Sequence, residues 1–155
     1  MENSLIPLSF QLVDDKYVAY LPVDEFIKSK DDPETKLKTA SIIYRESIND
    51  MRSIIADMAY LRTNHTMIPA RKIWQLGNVI FELTEKLEIL SFQIDNLYYH
   101  LERDLKVKRK WLEKVIILRR YIPIADYIPE KYNWAKLEKG TKGKAQTLLK
   151  GSILT

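Results

Sequence analysis

The sequence predicts a mainly α-helical protein: a helical core containing a helix-turn-helix, with an N-terminal β-hairpin and a basic C-terminal tail. Three observations carry that expectation. A heptad-like apolar stripe runs from residue 33 to about 62, a second apolar stripe follows Pro69, and two short amphipathic segments within about 94–122 meet at a basic turn. With 46% hydrophobic, 10% aromatic and 30% charged residues over 155 positions, the chain has the apolar content of a packed interior, which excludes global disorder. The expected division is a hairpin appendage over residues 1–30, a helical domain over 31–135 and a basic flexible tail over 136–155.

From Leu8 to Val13, and again from Lys16 to Leu21, alternating β-branched and aromatic residues flank Asp14 and Asp15, the pattern of a β-hairpin. A lone hairpin is marginal in water, so this one must lie on the helical core or pair with another chain. After the polar stretch Lys28 to Asp32, an Asp cap with Pro33 in the first turn opens a long helix to about Arg62. Leu37, Tyr44, Met51 and Met58 form one row, Ala40, Ile54 and Leu61 lie beside it, and Ile48 and Ile55 widen the stripe. Such a stripe packs into its own domain or forms a homodimer seam, and a length of about eight turns keeps the second reading open.

Thr63 to Ile68 reads as a polar connection before a second helix from Pro69 to about Glu88, with Ile73, Trp74, Leu76, Ile80, Phe81, Leu83 and Leu87 apolar. Gly77 in its middle costs roughly 1 kcal/mol against Ala, which points to close approach of another helix. Ile89 to Gln93 reads as a turn.

The net charge of +4 conceals an asymmetry: residues 1–99 hold 11 Lys and Arg against 15 Asp and Glu, a net of −4, whereas residues 100–155 hold 14 against 6, a net of +8. A positive end suits a polyanion, because each neutralised phosphate releases condensed counterions. Double-stranded DNA is the expected partner, although the same charge fits RNA or an acidic protein. There is no cysteine for a disulfide framework or a thiolate metal site. Met1 to Ser4 show no basic segment leading into an apolar one, and the longest apolar runs, such as Val115 to Leu118, are too short to span a bilayer. The expected location is cytoplasmic, away from membranes.

Within residues 94–122 two short helices fit around one tight turn. Leu101 and Leu105 are one turn apart on the first, Val107 plugs the turn, and Leu112 and Val115 line the inner face of the second. That leaves Lys108, Arg109, Lys110, Glu113 and Lys114 facing outward, toward a major groove or its flanking phosphates. Arg109 is the candidate base reader, since its planar fork bonds two acceptors on a guanine edge. Lys106, Lys108, Lys110 and Lys114 are assigned to phosphates, with Arg119, Arg120 and Lys131 extending the contacts. In the tail, Lys136, Lys139, Lys142, Lys144 and Lys150 stand among three glycines, and Lys142 and Lys144 are assigned to DNA as part of an arm that orders on binding. Two departures from the common motif are Lys106 where Gly is usual in the turn, and Glu102 where a small residue is usual on the first helix. The competing structural explanation is a plain helical hairpin with a solvated charged face.

The order Trp74-Gln75-Leu76-Gly77, then Leu97, Leu101, Leu105 and Leu112, then Arg119-Arg120-Tyr121 with Pro123 resembles the N-terminal helical domain of YhcG-like proteins. Those proteins join a helix-turn-helix region to a PD-(D/E)XK-type nuclease. The resemblance covers about residues 70–123. It implies DNA binding and membership of a mobile-element or phage-defence assembly, while the nuclease half has no counterpart in this chain.

No catalytic constellation emerges. The C-terminal region lacks the spaced acid and Glu-x-Lys set of such nucleases. His100 and Asp104, four apart on a helix, are two ligands without a third, so both are expected to be polar side chains solvated at the surface; His65 lies in a loop without an evident partner. Tyr98 and Tyr99 lack the accompanying His and Arg set of strand-transfer nucleophiles, and helix packing explains them. Gly140 to Lys144 departs from a phosphate-binding loop at Glu138 and Ala145. Tyr127, Ile128, Tyr132 and Trp134 form an aromatic segment expected to pack back on the core, with base stacking as the alternative.

The expectation is therefore a non-enzymatic, homodimeric DNA-binding protein without cofactor or metal, acting as a regulator or as the DNA-targeting component of a larger assembly. The alternative is a protein-interaction subunit that recruits its partner through the N-terminal hairpin and the first long helix. A nuclease or recombinase component is the third reading.

Overall fold

The computed structural model describes residues 5–21 and 33–154, with side chains described as far as Gly151. The expected polar stretch Lys28 to Asp32, its Asp cap and the domain boundary at residue 30 lie outside the described residues. The protein is mainly helical with an N-terminal hairpin. Its elements are β1 (Ile6–Val13), β2 (Lys16–Tyr20), α1 (Pro33–Thr63), α2 (Ala70–Ile89), β3 (Phe92–Ile94), α3 (Leu97–Leu105), α4 (Arg109–Tyr121), a short 3-10 turn (Ala125–Tyr127), α5 (Trp134–Glu138) and α6 (Thr141–Leu154). None of the described helices is long and apolar enough to cross a membrane. Where the sequence suggests one helical domain, the chain divides into two compact units: residues 1–49 with 82–106, and residues 50–81 with 107–155.

The first unit is built on the hairpin. Val13 pairs with Lys16 across a two-residue turn, and Asp14 and Asp15 both adopt positive φ, 50° and 64°. That geometry matches the right-handed twist of the strands, and Asp tolerates it better than most residues. The sheet has a third member outside the sequence reading. Residues Phe92–Ile94, expected to fall in and beside a turn, form β3 and pair in parallel with β1, Ile6 opposite Phe92 and Leu8 opposite Ile94, giving the order β2-β1-β3. Three residues are too few for an alternation signal, and Ser91 at φ 66° turns the chain out of α2 immediately before them.

Side chains take up exposed backbone groups at two places in this sheet, Ala19 on β2 and Phe10 on β1. Strand alternation makes Val13–Lys16 a hydrogen-bonded pair and Phe10–Ala19 a non-bonded one, so the polar groups of Phe10 and Ala19 point away from each other. On the outer side, the Ala19 amide donates to Ser41 Oγ at 2.8 Å, and that hydroxyl donates to the Leu37 carbonyl of α1. On the inner side, beyond the end of β3, the Phe10 amide donates to His100 Nε2 at 3.0 Å, and Arg103 donates to the Phe10 carbonyl at 2.7 Å. Capping of this kind removes a template for unwanted strand pairing. Leu8, Phe10, Tyr44, Ile48, Leu83, Leu87, Phe92 and Leu101 are buried in this unit, with Phe10 and Tyr44 stacked at 4.0 Å.

In the second unit Gly77 explains itself. A Cβ there would lie 2.8 Å from Arg119 Cβ and 2.9 Å from the Val115 carbonyl oxygen, so only glycine lets α2 approach α4 this closely. Trp74 Nε1 donates to the Ile122 carbonyl at 2.6 Å, fixing the end of α4 against the same helix. The aromatic segment packs back as expected. The Ala70 amide bonds the Tyr132 carbonyl, the Trp134 amide bonds the Ile68 carbonyl, and Arg71 donates to the Ile128 carbonyl at 2.6 Å. Ile128 and Trp134 are buried.

Residues 136–155, read as a flexible basic tail, are instead helical from Thr141 to Leu154. Gly140 at φ 72° ends the preceding turn, Thr141 Oγ1 donates back to the Leu137 carbonyl, and Thr141 and Ala145 are buried one turn apart. The helix has an inner face and packs on α4.

Candidate nucleic-acid interface

The two-helix segment forms locally as a helix, a three-residue connection and a helix. Asn96 starts α3, its side chain accepting from the Tyr99 amide at 3.2 Å. Lys106 ends it in the left-handed conformation, φ 55° and ψ 48°, with its amide bonded to the Glu102 carbonyl. This is the backbone that the common motif gives to glycine, achieved by a lysine. The boundary between the two units falls at the same turn: Leu101, Leu105 and Lys106 belong to the first, and Val107, Leu112 and Val115 to the second.

Leu112, Val115 and Leu118 are buried along one side of α4. Lys108, Arg109 and Lys110 are consecutive and exposed, Lys114 is half-buried, and Arg120 is exposed at the far end. Lys108 occupies the N-cap position, where a lysine has no acceptor to offer, and the first turn holds no acidic residue. Arg109 pairs with Glu113 at 3.3 Å, but with side chains 58% and 46% exposed this pair is worth at most about 1 kcal/mol and yields readily to a stronger anion.

Arg119 stands apart from the other assigned cations. It donates to Asn78 Oδ1 at 2.9 Å, its guanidinium lies 4.2 Å from the Phe81 ring centroid and 5.3 Å from that of Trp74, and its Cβ faces Gly77. These contacts hold α2 to α4 within the second unit, a role that its sequence position between hydrophobic Leu118 and basic Arg120 does not advertise. Among the tail residues, the Lys142 ammonium lies 5.7 Å from the Tyr121 ring centroid, while Lys144 bonds the Lys136 carbonyl. Lys131 is exposed.

The charge asymmetry sharpens when counted by unit. Residues 1–49 and 82–106 carry 9 Lys and Arg against 15 Asp and Glu, a net of −6. Residues 50–81 and 107–155 carry 16 against 6, a net of +10. The gain comes from Arg52, Arg62, Arg71 and Lys72, which a linear split assigns to the acidic half.

His100 and Asp104 are not surface residues. They are 3% and 6% exposed, and Asp104 accepts from Tyr44 Oη and from Arg103 at 2.8 Å. Burial, then the bond to Asp104, drives the Tyr44 phenol far above its ordinary pKa, and the carboxylate raises that of Arg103. No group of three or more His, Asp and Glu among the described residues has metal-holding geometry. The cluster instead ties β1 to α1 and α3.

Comparison with protein families, with curated proteins and with solved structures finds no match.

Proposed function

We propose that this protein binds double-stranded DNA through its basic unit, with the start of α4 as the reading element. The observation that carries the reading is the segregation of charge, +10 against −6, with Lys108, Arg109 and Lys110 exposed in succession on one helix end. Cations in a first helical turn oppose the helix dipole, each costing about 0.3–1 kcal/mol at low salt. A phosphate at that position relieves the repulsion, which favours an anionic partner over a merely solvated face. Lys106, Lys108, Lys110 and Lys114 fit phosphate contacts, and Arg109 fits a guanine edge once it leaves Glu113. The proposed role is binding rather than catalysis, as a cytoplasmic homodimeric regulator or the targeting part of a larger assembly.

Selection of bound sequences from random duplexes, followed by affinity measurements on the selected and a scrambled site, tests this reading. Arg109→Ala should lower discrimination by about 1–3 kcal/mol while leaving the scrambled site nearly unchanged. Failure of the pure protein to retain any duplex at low salt overturns it.

A second reading, recruitment of a protein partner, is favoured by the hairpin. Leu12, Val13, Val18 and Tyr20 are 57%, 45%, 41% and 43% exposed there. Copurification of a stable partner lost on Val18→Lys, with no nucleic acid retained, would select it.

A further inference from the structure

The C-terminal helix carries a row that the linear sequence conceals. At 3.6 residues per turn, Lys142, Gln146 and Lys150 recur every fourth residue and share one exposed face of α6. Lys144 lies about 160° around the helix from Lys142, nearly opposite it, and it bonds the Lys136 carbonyl instead. The Lys142 ammonium stands over Tyr121, the residue that follows exposed Arg120 at the end of α4, so the row starts next to the C-terminal end of α4. No Asp or Glu occurs anywhere in Thr141–Leu154.

Distances assign the two groups different tasks. Ten residues of helix separate Lys110 from Arg120, about 15 Å, which exceeds the major-groove width of about 12 Å. With the start of α4 in a groove, its far end and α6 fall on the phosphate rim. Lys142 and Lys150 are themselves about 12 Å apart along the helix.

We infer that the Lys142–Gln146–Lys150 face of α6, together with Arg120, is a preformed, sequence-neutral clamp for the duplex phosphate backbone. This rests on the DNA-binding reading and deepens it: these two lysines make the contacts, Lys144 does not, and the segment binds as an existing helix rather than as an arm that orders on DNA.

The test is the salt dependence of affinity for two duplexes of unrelated sequence, using the full chain, Lys142→Ala/Lys150→Ala and Lys144→Ala, with circular dichroism on each free and bound. The double variant should lower the slope of log affinity against log salt by about 1.8, equally on both duplexes. Lys144→Ala should leave the slope within about half of one contact's worth, and helix content should not rise on binding. Lys→Gln versions of the same pair give the same comparison with side-chain length retained.

An unchanged slope in the double variant overturns the clamp while the DNA reading stands. An equal effect of Lys144→Ala, or a gain of helix on binding, restores the disordered arm. Absence of binding by the unaltered chain overturns both readings, as does binding to anionic lipid vesicles without binding to DNA.

Discussion

The Phe10 amide donates to Nε2 of His100, ninety positions away in sequence, at 3.0 Å. An amide can only donate, so that ring nitrogen is unprotonated; the Asn96 carbonyl, 3.0 Å from Nδ1, can only accept, so the proton sits there. Protonating Nε2 would set two donors against each other in a buried site. Burial lowers the His100 pKa below its ordinary 6.5; the Asn96 carbonyl opposes the shift, Arg103 adds to it, and Asp104 and Asp95 act against it. Between the lowered value and 6.5 the unfolded chain binds more protons than the folded one. Stability from this group is therefore complete above about pH 6.5 and is lost as the pH falls through that window. Urea midpoints should drop between about pH 7 and about pH 5.5, and the drop should shrink in His100→Gln; a midpoint unchanged over that range contradicts the assignment.

Tyr44 shares the cluster. Tyr44→Phe removes one donor from the buried Asp104 carboxylate, which keeps its bonds from Arg103, and should cost about 1–3 kcal/mol in urea unfolding. The raised phenol pKa works in the opposite pH direction from His100: the folded state keeps a proton that the unfolded chain loses above about pH 10, so its contribution is lost on the alkaline side. A Tyr44→Phe variant as stable as the parent would show that the bond is not needed.

Gly77→Ala sets two effects in opposition. Alanine favours helix by about 1 kcal/mol, but its Cβ would meet the Val115 carbonyl oxygen at 2.9 Å and Arg119 Cβ at 2.8 Å, neither of which is the movable end of a side chain. Overpacking of this kind costs about 1–3 kcal/mol and should win. A raised urea midpoint would mean that α2 and α4 are less closely packed than described.

Lys106 offers the reverse case. Its left-handed backbone costs a side-chain-bearing residue about 1–2 kcal/mol, partly offset by the greater freedom glycine has when unfolded. Lys106→Gly should therefore stabilise the protein by about 0.5–1 kcal/mol, read as a higher urea midpoint. A loss of stability would show that the lysine side chain contributes to the turn.

Local signals were legible and distant ones were not. Asp14-Asp15 between alternating strands and Pro33 and Pro69 at helix starts express nearest-neighbour chemistry, and Gly77 in mid-helix signals a close approach without naming its partner; the structure has them so. β3 leaves no local signal because its three residues acquire meaning only from β1, far earlier in the chain. His100 and Asp104 looked like surface residues because their partners Phe10 and Tyr44 lie 90 and 60 positions away. The α6 helix had a signal in Thr141, Ala145 and Leu148, but glycines and lysines between them masked it. For the same reason Arg119 read as one more surface cation, since Asn78 and Phe81 come from another helix.

The central claim is that the basic unit engages duplex DNA through the start of α4, and fluorescence anisotropy of a labelled duplex at about 50 and about 200 mM salt tests it directly. The four phosphate contacts assigned to Lys106, Lys108, Lys110 and Lys114 contribute about −3.6 to the slope, hence at least about a hundredfold loss of affinity over that interval, and Lys108→Ala/Lys110→Ala should reduce the slope by about 1.8. Affinity independent of salt, or a slope that the double variant leaves intact, would contradict the account.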